Sequence, residues 1–196
     1  PRSTPLYSSA ASDVYKRQVE GVVLTGKGRA FIAGADISEF GGNSDGIGLN
    51  EVFNKLEFCK KPLVAAINGI ALGGGLETAL CCNYRIANSK AVVGLPEVNL
   101  GLLPGGGGTQ RLPRLAGPAE ALKMMLSGMH ISAKKALDMG IIDQIVENVV
   151  EESIEFAPMI ENLKQNYSKL IEIAPYLSGE QMKIFSNLKD LLPNII

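Results

Sequence analysis

Histidine is almost missing from this sequence: His130 stands alone. That argues against a His-based catalytic triad and against a multi-His metal site. Flanked by Met129 and Ile131, it reads as a structural residue. Cysteine is scarce too, limited to Cys59, Cys81 and Cys82. An odd count with two adjacent members makes a poor disulfide framework. Cys81-Cys82 lies in an apolar stretch, where cysteine acts as a small hydrophobe. A reducing compartment fits this usage, and the cytoplasm is the expected location. No stretch of Lys and Arg interleaves with aromatics, and the formal net charge is only -1, so no nucleic-acid partner is expected. No apolar run reaches the roughly 18 residues that a membrane span needs. Neither a secretory signal nor a carboxy-terminal Ser-Lys-Leu address is read. Three motifs are also absent. No Gly-Lys-Ser/Thr follows the glycines at 105–108, a dinucleotide fingerprint fails at Gln110 and at Thr78, and no Gly-x-Ser-x-Gly occurs.

What is present is an ordinary globular composition, 46% hydrophobic and 20% charged, with an excess of glycine at 22 residues. The chain of 196 residues suffices for one domain or for most of a larger one. Residues 1–18 are polar, serine-rich and without period, and read either as a foreign segment or as a native flexible tail. From Val19 the pattern becomes regular. Val22–Thr25 reads as a buried strand and turn, and a second apolar piece starts at Phe31. Residues 41–48 read as a loop and 50–60 as a helix. Leu63–Ile67 is an apolar strand ending in the turn Asn68-Gly69. A helix over 76–82, strands at 84–87 and 91–93, and a loop opening at Pro96-Glu97 follow. Thr109 is the expected N-cap of a helix over 109–116, and a second runs over 118–127 after the break at Gly117-Pro118. Met124, Met125 and Leu126 read as core. Ser132 caps a helix over 133–139, 141–146 is a last strand, and the chain beyond 150 reads as helical. Alternating short strands and helices argue an α/β class. The recurring strand-strand-helix unit suggests stacked turns of a spiral.

Three segments have residues suited to chemistry. Leu72-Gly73-Gly74-Gly75-Leu76-Glu77 leads a strand through three glycines into a helix. Free N–H groups at such a start stabilise negative charge developing on oxygen, with Glu77 in the first turn beside them. The same residues also suit a plain tight turn. In Phe31–Ile37, Gly34 permits an unusual backbone, so Ala35 N–H is either a second donor or part of a simple turn. In Leu95-Pro96-Glu97-Val98 a carboxylate stands among apolar neighbours. That raises a pKa and suits a general acid, unless the glutamate is simply an exposed loop residue.

In order and spacing, the stretches VVLTGKGRAFIAGADISEF, KPLVAAINGIALGGGLETALCCNYRIA, GLPEVNLGLLPGGGGTQRLPRLAG and SAKKALDMGIIDQIVE resemble the crotonase (enoyl-CoA hydratase/isomerase) family. The similarity covers about residues 19 to 148, and is greatest to the hydratase modules of multifunctional fatty-acid oxidation proteins. It implies a crotonase-like spiral of ββα turns with a helical carboxy-terminal region over 149–196. It implies that two backbone N–H groups, at Ala35 and Gly74, hold a thioester oxygen. It implies that Glu77 and Glu97 are the catalytic pair. Ala33, Asp36, Ile37, Gly73, Pro96 and Gly105 take substrate-binding positions. Both glutamates being present favours hydration over isomerisation.

The resemblance further implies an acyl-CoA thioester as substrate, no cofactor beyond the coenzyme A of the substrate itself, and no metal. The partner is either a second copy, in a trimer or hexamer, or a multifunctional oxidation complex. Two departures stand out. The family has a strand and helix before Val19, where this sequence has the dissimilar 1–18, so an amino-terminally truncated chain is expected. Asn83 replaces a usual Asp at a structural hydrogen bond. Enoyl-CoA isomerisation on the same site and a silent acyl-CoA-binding module are the alternatives; a serine protease on the same scaffold lacks its nucleophile motif.

Overall fold

The computed structural model describes residues 19–34 and 48–159. Among these residues, eight short strands form two four-stranded sheets. β1 (Val22–Thr25), β3 (Leu63–Ile67), β5 (Tyr84–Asn88) and β8 (Gln144–Val146) lie side by side in that order, all parallel. β2 (Ala30–Ile32), β4 (Ile70–Leu72), β6 (Val92–Gly94) and β7 (His130–Ser132) form the other sheet, where only β7 is antiparallel to its neighbour. From β1 to β6 consecutive strands go to different sheets, so each pass of the chain adds one strand to both; β7 then stays beside β6, and β8 returns to the first sheet. That is the stacked spiral which the strand-strand-helix repeat suggests.

Composition explains the placement. Every residue of β3 is buried, as a parallel strand covered on both faces requires. The corner between β3 and β4 is tied to the preceding turn of the spiral. Asn68 Nδ2 donates to the carbonyls of Gly26 and Gly28, both at 3.0 Å, and Asn68 Oδ1 accepts from Gly26 N–H at 3.2 Å. Between the sheets and the helices lies a core including Leu63, Ile67, Leu76, Leu95, Leu112 and Met124.

The helices are α1 (Leu49–Glu57), α2 (Gly74–Leu80), α3 (Gly108–Ala116), α4 (Pro118–Ser127) and α5 (Ala133–Asp138), and residues 149–159 are helical as well. Ser132 caps α5 as expected, its hydroxyl accepting from Lys135 N–H. Thr109 does not cap α3. The N-cap is Gly107, with no side-chain capping bond, and the helix starts at Gly108. The N–H of Gly108 is spent on a distant carboxylate, described below. Glu97 opens a 3-10 turn over Glu97–Leu100 rather than an irregular loop. β4 and β7 were not expected: β4 runs into the glycines at 73–75, and β7 has a single apolar residue, Ile131. Met124 is buried, but Leu126 is 61% exposed and so is not core. His130 is an exposed residue of β7.

Two polar contacts hold the entry to β5. Asn83 Oδ1 accepts from Leu63 N–H at 2.8 Å, and Asn83 N–H donates back to Leu63 O. An amide thus serves the structural bond expected there. Arg85, 2% exposed, pairs with Asp143 at 2.7 Å and donates to Cys82 O, joining β5 to the segment that enters β8. Cys81 and Cys82 are free thiols pushed up to about 12 by burial, consistent with small hydrophobes. Among the described residues, no helix is long and apolar enough to cross a membrane.

Candidate active site

Glu77 sits in the first turn of α2, and only 2% of its surface is exposed. An ionised carboxylate so placed needs hydrogen bonds. Two are supplied from another part of the chain: the N–H groups of Gly106 and Gly108 both donate to Glu77 Oε1 at 2.8 Å. One comes from the loop before α3 and the other from the first residue of α3, where backbone donors lack intrahelical partners. A side chain on Gly106 would collide with the Phe53 ring and with Glu77 itself, so only glycine lets the loop come this close. Burial pushes the Glu77 pKa up. The bonds from Gly108 and Gly106, and then the charge of Arg111, pull against that rise.

Glu97 approaches from the other side. Pro96 precedes the 3-10 turn, and Leu102 N–H closes back on the Glu97 carbonyl at 3.1 Å. The strand-helix corner at Gly73 has φ +55, and a Cβ there would lie 3.2 Å from Glu97 Oε1. Gly73 N–H donates to Gly94 O, which draws the start of α2 onto the end of β6. Glu97 Oε2 is buried with no hydrogen-bond partner among the described residues. Burial again raises the pKa; a hydrogen bond from the residue's own backbone N–H pulls against that rise, and the charge of Glu77 adds to it.

Both glutamates line one cavity of about 480 Å³. Its walls include Ala33, Gly34, Gly73, Gly74, Pro96 and Gly105, with Leu49, Leu72, Leu100, Leu102 and Leu103 giving it an apolar side. Gly74 is the first residue of α2, so its N–H points out of the helix start rather than into the helix. Gly34 has φ +140, a conformation that favours glycine. The structure therefore brings together Glu77, Glu97, Gly73, Gly74, Ala33, Pro96 and Gly105 from the sequence-predicted set. Ala35, Asp36 and Ile37 lie outside the described residues.

Sequence reasoning missed the donors to Glu77. The glycine tract was tested as a nucleotide loop and then set aside, although four glycines before a helix also make a carboxylate cradle. It missed Phe53, Arg111 and Glu57, whose roles depend on contacts across many residues. His130 does not line the cavity. Among the described residues no cluster of His, Cys, Asp or Glu is arranged to hold a metal ion.

The site can remove and deliver protons with two carboxyl groups of unequal environment, beside a backbone donor and an apolar wall. Comparison with known proteins shows the family. The profile of the enoyl-CoA hydratase/isomerase family matches residues 11–174. The peroxisomal bifunctional enzyme of Danio rerio is 52% identical over 141 residues, which is 71% of this chain and 20% of that protein. A probable enoyl-CoA hydratase of Bacillus subtilis is 43% identical over 169 residues, covering 79% of this chain and 64% of its own. The crystal structure of an enoyl-CoA hydratase from Bacillus anthracis superposes with a TM-score of 0.71 at 32% identity, covering 95% of this chain and 76% of that one. The chain spans about a fifth of the length of the bifunctional relatives it matches.

Proposed function

The chain belongs to the enoyl-CoA hydratase/isomerase family, and on that premise we propose that it hydrates trans-2-enoyl-CoA thioesters in fatty-acid β-oxidation. The observation that carries the reading is the pair Glu77 and Glu97 on one apolar-walled cavity, beside the helix start at Gly74. Water adds across the 2,3 double bond. Its oxygen bonds to C3, its proton passes to a carboxylate, and charge moves through the conjugated system onto the thioester oxygen. The N–H groups of Gly74 and Ala35 take that charge; losing one such donor costs about 3 kcal/mol of barrier. A carboxylic acid then delivers a proton to C2.

The two environments support assigning the roles. Glu77 accepts two N–H bonds, which favour its ionised form and suit a base. Glu97 has a buried oxygen without a partner among the described residues, which favours the neutral form and suits an acid. Ala33, Asp36, Ile37, Gly73, Pro96 and Gly105 make up the rest of the substrate path in this reading. The reaction needs no cofactor, since coenzyme A arrives with the substrate.

The remaining assignments are proposals of the same kind. The core is placed at 19–148; the expected segment 1–18 and the carboxy-terminal region beyond 159 lie outside the described residues. The chain works as a trimer or hexamer of itself or within a multifunctional oxidation complex, and it resides in the cytoplasm, with free buried thiols as support. The test is loss of the conjugated-thioester absorbance of crotonyl-CoA, run beside a 3-enoyl-CoA. Hydration of crotonyl-CoA supports the reading. Conversion of the 3-enoyl substrate alone replaces it with isomerisation, and binding of both without turnover replaces it with a silent module.

A further inference from the structure

We infer that Arg111, held by Glu57, is a positioning residue that clamps the Gly106 loop onto Glu77. Arg111 Nη1 donates to the Gly106 carbonyl at 2.7 Å. Its Nη2 and Nε hold the two oxygens of Glu57 at 2.7 and 3.3 Å, a forked pairing that lysine cannot make. The N–H of the same Gly106 donates to Glu77 Oε1. One residue of the loop is therefore fixed at both ends: its donor on the proposed base and its acceptor on the guanidinium. Gly107 lies between them with φ +93, and a side chain there would strike Arg111 Nη1. The arginine thus runs across the loop in a space that glycine leaves open.

The clamp joins three elements. Glu57 ends α1, Arg111 belongs to α3, and Glu77 belongs to α2. The Arg111 side chain is 12% exposed and that of Glu57 38% exposed, so the fork is partly shielded from water. Among the described residues, the groups with charge or protons around Glu77 are Arg111 from α3, Glu97 from the 3-10 turn, Cys81 at the end of α2, and Glu57 behind the guanidinium. Arg111 is the cation in that set, and its charge counters the rise that burial causes at Glu77. Its placement thus affects both the geometry of the carboxylate and its state of ionisation.

The inference rests on Glu77 being the base of the proposed hydration, so its test includes a readout that needs no turnover. The full chain is labelled with [13C]glutamate, the Glu77 carboxyl signal is assigned by its loss in E77Q, and its titration is followed in R111M, R111K and E57Q. The pH profiles of kcat and KM on crotonyl-CoA are measured on the same proteins. In R111M the Glu77 midpoint moves up, the acid limb of kcat moves with it, and kcat falls roughly ten- to a hundredfold, as misplacement of a reacting group does. R111K keeps the charge without the fork, so the midpoint stays near wild type while kcat remains low. E57Q loosens the guanidinium without removing the cation, so kcat falls and the midpoint does not rise. A folded R111M with the wild-type midpoint and kcat overturns the inference, as does full recovery of kcat in R111K. If R111M does not fold, R111K and E57Q decide by the same criteria. Absence of hydration by the wild type would overturn the proposed function alone, since the NMR midpoints still report on the clamp.

Discussion

Replacing Glu77 with glutamine separates its chemistry from its structure. Glu77 Oε1 receives both N–H bonds, from Gly106 and Gly108. Glutamine offers a carbonyl oxygen in the same place, so both bonds persist and the amide group takes the position of Oε2. What disappears is the ability to accept a proton from water. General acid–base assistance is worth about 10² to 10⁴ in rate, or roughly 3 to 5 kcal/mol of barrier. The expected result for Glu77→Gln is a fall in kcat of that size with little change in KM, because the lost interaction exists only in the transition state. Glu97→Gln should do the same by removing the proton donor. The double variant should be scarcely worse than either single, since the groups serve one transition state. Thermal melts at the assay pH complete the experiment. Neither variant should melt below the wild type, because each exchanges a desolvated ionisable group for a neutral one of the same shape. A Glu77→Gln protein that hydrates crotonyl-CoA within about threefold of wild type would refute its role as base. A marked drop in melting temperature would refute the claim that the amide fits the cradle.

Other expectations follow from the same contacts. Glu77 and Glu97 both have folded pKa values raised chiefly by burial, so the folded state holds protons that the unfolded state has already released. Stability is then full below the usual carboxylate range and is lost as pH rises through the raised values. The urea midpoint of wild type should fall over that window, and that of the double Gln variant should fall less. Glu57, lowered by its bonds to Arg111, works in the opposite sense: its contribution is present above the usual range and fades as pH drops. Gly106→Ala forces a methyl into the Phe53 ring and Glu77. It should cost about 1 to 3 kcal/mol in denaturant unfolding and reduce kcat together with stability. Arg85→Met removes the guanidinium that pairs with Asp143 but leaves the residue-85 N–H bond to Asp143 Oδ2, and should cost about 1 to 3 kcal/mol in the same unfolding measurement. Activity at temperatures below its melt should be retained.

How much of this was legible in the sequence depends on the range over which each feature is encoded. Leu63–Ile67 is a continuous apolar run, and it is the wholly buried strand at the centre of the parallel sheet. Ser132 and Gly117-Pro118 mark helix boundaries through local chemistry, and they mark them correctly. β4 escaped because it runs straight into the glycines at 73–75, and β7 because its one apolar residue stands between His130 and Ser132, so neither is set off as an apolar run. Thr109 was misassigned because capping preference treats the helix start as a local problem. Here the start is answered by Glu77, 31 residues away in the chain. Of the site, the glycine-rich corner and the two glutamates could be named from residue type and spacing. Their convergence on one cavity could not, since it depends on successive turns of the spiral stacking in register.

The cradle of Glu77 also explains why so much glycine is concentrated before α3. A helix start with a Ser, Thr or Asp cap satisfies its own first donors. α3 has Gly107 instead, with no side-chain cap, and its first N–H goes to a carboxylate on another helix. The local helix gives up capping, while the positive end of its dipole and its free donors become the environment of a buried acid. Burial alone would favour keeping Glu77 protonated, and the two N–H groups favour ionising it. A group balanced between those tendencies can accept a proton and later release it within one catalytic cycle. Glu97 has burial without a comparable cradle, since its Oε2 finds no partner among the described residues. The same side-chain type is thereby given two environments by backbone placement. Loosening the glycine loop should therefore remove the N–H bonds that favour ionised Glu77, and raise its titration midpoint, before it unfolds the protein.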